Sequence, residues 1–319
     1  MRCRPVLAAS AVVAFAVSGC GGASSTAGED DAAGAGQSKG TVNIAVNPWV
    51  GYEANAAVIG FLLEKELGYT VAKKNLKEEI SWQGFESGEV DVIVENWGHP
   101  DLKQTYIAEK KVAVEVGPTG NDGVIGWYVP QWMVDEYPDI TDWQSLNKYA
   151  GLFKTSESGG KGQLLDGDPS FVTNDAALVA NLKLDYKVVY SGSEAALIKA
   201  AQQATAQRKP LLFYFYEPQW LFAKEKYVRV KLPAYSEGCD ADPKKVACDY
   251  PDYVLDKIAS KKFADTGGAA YKLVQNFKWS NDDQNLVSDY ITNQGMTPEK
   301  AAEKWVAEHE STWKPWIPA

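Results

Sequence analysis

The chain is poor in the side chains that do chemistry. Its 319 residues include two histidines, His99 and His309, and four cysteines. There is no G-x-S-x-G, H-E-x-x-H, C-x-x-C or G-x-x-x-x-G-K-[ST] segment, and "GGKGQ" at 159–163 lacks both the spacing and the hydroxyl of the last of these. So little imidazole leaves scant material for a nucleophile–base pair. Positive charge is also short: 32 Lys and Arg face 42 Asp and Glu, a net charge of −10. Phosphate backbones need clustered Lys and Arg, so nucleic acid is excluded as a partner. No apolar run is long enough to serve as a permanent membrane span. Paired carboxylates could still build a glycosidase, and Glu53, Glu95, Asp101 and Glu217 stand near candidate pocket positions. Carboxylates at strand ends are more often solvated or paired with a cation, so the expectation is a protein that is not an enzyme and needs no cofactor or metal.

What is present begins with a separable N-terminus. Arg2 and Arg4 precede the apolar run "VLAASAVVAFAV", which meets small residues at Ser18-Gly19-Cys20. Residues 1–19 therefore fit a secretory signal, and "VSGC" resembles a bacterial lipobox, with Cys20 as the lipidated residue. The alternative is an ordinary signal with a chance cysteine. Residues 21–40, "GGASSTAGEDDAAGAGQSKG", hold no large apolar side chain and are expected to be a flexible linker between membrane and folded body. Cys239 and Cys248 bracket a polar loop, "EGCDADPKKVACDYP". In an oxidising compartment a disulfide is expected there, since zinc would need two more ligands.

From residue 41 the pattern is α/β. "TVNIAVNPW", "YTVAKKNL" and "DVIVENW" have the character of strands, separated by helical segments at 53–68 and 81–90. This order predicts a mostly parallel sheet, in which ligands collect beyond the carboxyl ends of strands. Four segments place an aromatic at such an end: "NPWVGYEAN", "VENWGHP", "GWYVP" and "FYFYEPQW". Singly, a tryptophan is more often core than ligand contact. Four at equivalent positions point to a shared crevice. Electron-rich aromatic faces suit a cation without N–H donors, such as a quaternary ammonium. In "FYFYEPQW" (213–220), Phe213 and Phe215 share one strand face and are expected in the core. Tyr214 and Tyr216 occupy the other face, either supporting the cage or lining a cleft.

These blocks, together with "SGEVDVIVENWGHP", "LLFYFYEPQWLFAKEKYVRVKLP", "KVACDYP" and "MTPEKAAEKWVAEHESTWKPWIP", resemble the substrate-binding lipoproteins of ABC importers in the glycine betaine/choline/proline betaine family. The resemblance covers residues 41–319. It implies a two-lobed periplasmic-binding-protein fold of type II, with one lobe from 41–127 plus 229–319, the other from 128–228, and the ligand cleft between them. It also implies a lipid-anchored monomer on the extracytoplasmic face of the membrane that hands a quaternary ammonium ligand to an ABC permease.

Carried over by position, the cage is Trp49, Trp97, Tyr128 and Trp220, with Trp127 in place of Tyr128 if the register is shifted by one. Ser156, Ser158 and Gly159 in "TSESGG" are the candidates for holding a ligand carboxylate. The acidic residue that often follows the first Trp is absent, because Val50-Gly51 follows Trp49. That departure favours a carboxylated ligand over choline unless Glu53 reaches the site. A lipid-anchored carbohydrate-binding or glycan-hydrolysing protein is the alternative class, and a scaffold with no small ligand is a third.

Overall fold

Strand β1 (Thr41–Val46) is buried along nearly its whole length, as a central strand covered on both faces must be. It leads into α1 (Val50–Lys65), which is also buried around most of its circumference. A surface helix shows one apolar stripe; this one carries Ala54, Ala56, Ala57 and Gly60 among larger apolar residues and is packed from several sides. Its outer neighbours are the helices Asn281–Thr292 and Pro298–Glu308. The structure, a computed structural model, describes residues 39–319, which fall within one compact unit. The expectations for the signal, for Cys20 and for all but the last two linker residues lie outside the described residues. Among the described residues no helix is long and apolar enough to cross a membrane.

After α1 come β2 (Thr70–Asn75), α2 (Glu78–Ser87), β3 (Val92–Asn96) and the long β4 (Ala113–Pro130). Then follow β5 (Gly162–Asp166), β6 (Tyr186–Tyr190), β7 (Phe213–Glu217), β8 (Tyr227–Arg229) and β9 (Asp252–Ser260). The strands form one sheet in the order β2-β1-β3-β9-β4-β7-β5-β6, with β8 added beside β4. It contains two parallel triplets, β2-β1-β3 and β7-β5-β6, joined by antiparallel β9 and β4. The α/β architecture of the sequence reading is therefore present, with a type II periplasmic-binding-protein arrangement.

β4 connects the two halves. Its pairing with β9 ends at Val124–Asp252, and its pairing with β7 begins at Val124–Glu217. The border that the sequence reading sets at 127/128 thus lies three residues beyond the point where β4 changes partner. The cysteine loop, grouped by that reading with the first lobe, hydrogen-bonds to the second half: Asn181 Nδ2 donates to the carbonyls of Lys244 and Val246, and the Tyr250 hydroxyl accepts from Asn174 N–H. Cys239 and Cys248 are joined in a disulfide.

Strand β7 resolves the two faces of "FYFY". Phe213 and Phe215 pack with Tyr128, Phe222 and Tyr227, all on the core side. Tyr214 and Tyr216 contact Phe171 on the opposite side, and Tyr216 also meets Trp97. Residues paired across a ladder share a face. Ile125 pairs with Tyr216 and Trp127 with Tyr214, whereas Tyr128 pairs with Phe213. Ile125 and Trp127 of β4 therefore share the face of Tyr214 and Tyr216, towards the cavity described next.

Candidate functional site

A small cavity of about 40 Å³ lies between the two halves. Six aromatic side chains line it: Trp49, Trp97, Phe171, Tyr214, Tyr216 and Tyr253. Ile125, Val172, Glu78 and His99 complete the lining, and no Lys or Arg is among them.

The tryptophan wall comes from two strand ends. β1 stops at Val46, and Asn47 anchors the turn by donating from Nδ2 to the Leu76 carbonyl and to Ser81 Oγ. Trp49 follows as the residue before the first turn of α1. β3 stops at Asn96, whose Nδ2 donates to Gly98 O and to Asp256 Oδ1, fixing the turn that carries Trp97. Gly123 of β4 is required beneath this ring, since a Cβ there would come within 2.7 Å of the Trp97 indole.

Both indoles are tied to one atom. Trp49 Nε1–H and Trp97 Nε1–H each donate to Glu95 Oε1 at 2.8 Å. The other oxygen, Oε2, accepts from Asn55 Nδ2 at 2.6 Å and Gln284 Nε2 at 3.1 Å. Gln284 reaches it only because residue 51 is glycine; a Cβ would stand 2.4 Å from its amide nitrogen. Burial pushes the Glu95 carboxyl up to about 7, against the downward pull of its four N–H donors.

The opposite wall is built differently. Phe171 comes from the loop after β5, where Asp168 organises the turn through Ser170 N–H, Ser170 Oγ and the Phe171 amide. Tyr214 and Tyr216 come from β7, and the Tyr216 hydroxyl donates to Glu194. Glu194 also accepts from Gln219 Nε2 and, across the halves, from the Val50 amide at the start of α1. Burial raises this carboxyl too, to about 7. At the rim, His99 and Glu78 pair at 3.0 Å. Burial alone would lower the imidazole, but the hydrogen bond and charge of Glu78 raise it on balance.

Of the sequence-predicted cage residues, the structure brings Trp49 and Trp97 together in the cavity. Tyr128 lies on the other face of the sheet, packed against Phe213 and Phe222, and its buried hydroxyl has no hydrogen-bond partner among the described residues. Trp127 is on the cavity side but stands behind it, with Nε1–H donating to Asp175 Oδ1 at 2.8 Å. Trp220 lines an adjoining groove of about 830 Å³ together with Trp49, Glu53 and Glu194. Ser156 and Gly159 are exposed, and the Ser158 hydroxyl is used within its own turn, donating to the carbonyls of Thr155 and Lys161. That turn precedes the amino end of β5, while the cavity lies beyond its carboxyl end. None of the four candidate carboxylates, Glu53, Glu95, Asp101 and Glu217, lines the cavity. Among the described residues no cluster of three or more metal-ligating side chains occurs.

Sequence reasoning missed Phe171, Tyr253 and the role of Glu95. The signal for Phe171 was available: "GDPSFVTN" directly follows the carboxyl end of β5, where a parallel sheet gathers ligands. Tyr253 carries no such signal, because it arrives on an antiparallel strand from far along the chain.

Comparison with known proteins agrees with this architecture. The chain is 25% identical over 293 residues to the trimethylamine N-oxide-binding protein of Pelagibacter ubique, covering 88% of this chain and 92% of that one. It superimposes on lactococcal OpuAC, solved closed with glycine betaine, with a TM-score of 0.68 at 24% identity, covering 88% of this chain and 100% of that one. An ABC-transporter choline-binding protein solved with choline gives 0.70 at 20% identity, covering 86% and 91%. The family model for the substrate-binding domain of ABC-type glycine betaine transport systems matches residues 40–308, nearly the whole described body. The chain belongs to that family.

Proposed function

We propose that this protein captures a small, fully methylated amine cation of the betaine, choline or trimethylamine N-oxide type and delivers it to an ABC permease. The observation that carries the reading is the cavity lining: six aromatic side chains and no Lys or Arg. A cation that cannot donate an N–H bond gains little from a lone carboxylate, but gains about 0.5–2 kcal/mol from each well-placed aromatic face. Several such contacts in a desolvated site support micromolar binding, about 8 kcal/mol. The ligands of the relatives share this methylated cationic head.

In this reading Trp49, Trp97, Phe171, Tyr214, Tyr216 and Tyr253 form the cage. Tyr128 supports it from the core, and Trp220 walls the groove alongside. The two half-sheets act as lobes that meet near Val124 and Asp252, and the Val50–Glu194 hydrogen bond holds them closed over the ligand. The protein works as a monomer on the extracytoplasmic face, held to the membrane by a lipid on Cys20.

Calorimetric titration of the purified protein with tetramethylammonium, glycine betaine, trimethylamine N-oxide and choline tests this. Micromolar binding of at least one is the expected result. Absence of heat with all four, on folded and ligand-free protein, sinks the proposal.

A further inference from the structure

Glu95 lines neither the cavity nor the groove and is 1% exposed. Yet it receives more polar contacts than any side chain that does line them. Four N–H groups converge on its two oxygens: the indoles of Trp49 and Trp97 on Oε1, and the amides of Asn55 and Gln284 on Oε2. All four partners are donors, which suits the ionised carboxylate and leaves a protonated one with a surplus of hydrogens.

Two physical consequences follow. A single oxygen fixes the planes of two cavity walls, so the angle between the indoles is set by one acceptor. An indole that donates its N–H to an anion is also polarised toward its ring, and its π face becomes a better surface for a cation. Glu95 is buried away from solvent, so the field of its charge reaches the cavity with less screening than it would in water.

We infer that Glu95 is a positioning and specificity-determining residue: it locks Trp49 and Trp97 as one unit, and its negative charge selects cationic guests over neutral groups of the same shape. This rests on the cavity being a cation cage. A glutamine at 95 can keep its carbonyl on the two indoles, but its NH2 then meets the amides of Asn55 and Gln284; turning the Asn55 amide over brings Oδ1, which has no hydrogen-bond partner among the described residues, to face it. Glu95→Gln therefore removes the charge and keeps both indoles held, at the cost of turning the Asn55 amide.

The test compares glycine betaine with 3,3-dimethylbutyrate, in which carbon replaces the cationic nitrogen and the carboxylate is kept. Wild-type protein prefers betaine. In E95Q that preference falls about tenfold or more, because betaine weakens while dimethylbutyrate binds as before or better. Equal weakening of both ligands, or no change in either, overturns the inference while leaving the cage reading intact. If wild-type protein binds no methylated cation at all, the cage reading falls first and the inference with it. Should E95Q fail to fold, Glu95→Asp decides. Its shorter arm keeps the charge but cannot hold both indoles, so both ligands weaken and the betaine preference stays. A lost preference in E95D overturns the assignment of selectivity to the charge.

Discussion

Two buried carboxylates, one in each half of the molecule, hold aromatic side chains through one oxygen in the same manner and differ in what meets the other oxygen. Glu95 accepts from Trp49 and Trp97 through one oxygen. Asp175 accepts from Trp127 Nε1–H and the Tyr250 hydroxyl, also through one oxygen. At Glu95 the second oxygen has two amide donors; at Asp175 it has none. Burial, and after it the neighbouring Asp166, push the Asp175 carboxyl well above the usual carboxylate range. The aromatics it holds do not line the cavity. The difference shows what opposes burial at a carboxylate: the donors that remain after the first oxygen is filled. In the first half they are supplied, and four N–H donors pull against burial at the carboxylate behind the cage. In the second half they are missing among the described residues, and nothing on the second oxygen opposes the upward push of burial on Asp175.

The sharpest way to break this comparison is to remove a wall. Trp97→Ala should weaken tetramethylammonium binding about 30-fold or more, the equivalent of about 2 kcal/mol for a desolvated cation–π contact. Calorimetry on folded variant protein checks this, and unchanged affinity would remove Trp97 from the site.

A second effect concerns stability and pH. Glu95 and Glu194 are raised to about 7 and Asp166 to about 6. A carboxyl with a raised folded pKa contributes stability that is complete below its unfolded value and is lost as pH rises through the folded one. The ligand-free protein should therefore melt at lower temperature at pH 7 than at pH 5. Lys257, lowered to about 7 by burial, works in the opposite sense only above that pH. Calorimetric scans across the window test the sign, and Asp175→Asn should flatten the slope, because a carboxyl raised in the folded protein and ionised in the unfolded chain takes up a proton on folding in this window.

The smallest effect is expected at Tyr128. Its hydroxyl has no partner and its ring faces the core. Tyr128→Phe should keep ligand affinity within about twofold and should not lower the melting temperature, since a buried, unpaired polar group is removed. A tenfold loss of affinity would place Tyr128 back in the cage.

Much of the architecture was readable along the chain because alternating strands and helices carry local signals. "DVIVENW" and "FYFY" announced a buried strand and a two-faced strand, and both are so placed. The cavity was half readable. Trp49 and Trp97 sit on parallel strand ends, where sequence and topology agree. Tyr128 lies on antiparallel β4, where an error of one residue turns a side chain to the other face. Trp127 and Tyr128 differ by that one step, and nothing local distinguishes them. The partners of Glu95 were hidden for another reason: Asn55 and Gln284 are separated by more than two hundred positions and meet only after the helices pack.

The shared oxygen of Glu95 also constrains how this protein can change over generations. Trp49 and Trp97 stand 48 positions apart in the chain, yet neither can be replaced without altering what the other is bonded to. Loss of one leaves the carboxylate short of a donor and the surviving ring free to turn, so the two substitutions should be strongly non-additive. A shift in guest preference along this wall would have to pass through paired changes, whereas Phe171, which sits on a loop and shares no acceptor with a partner, is the side of the cage most open to single-step variation.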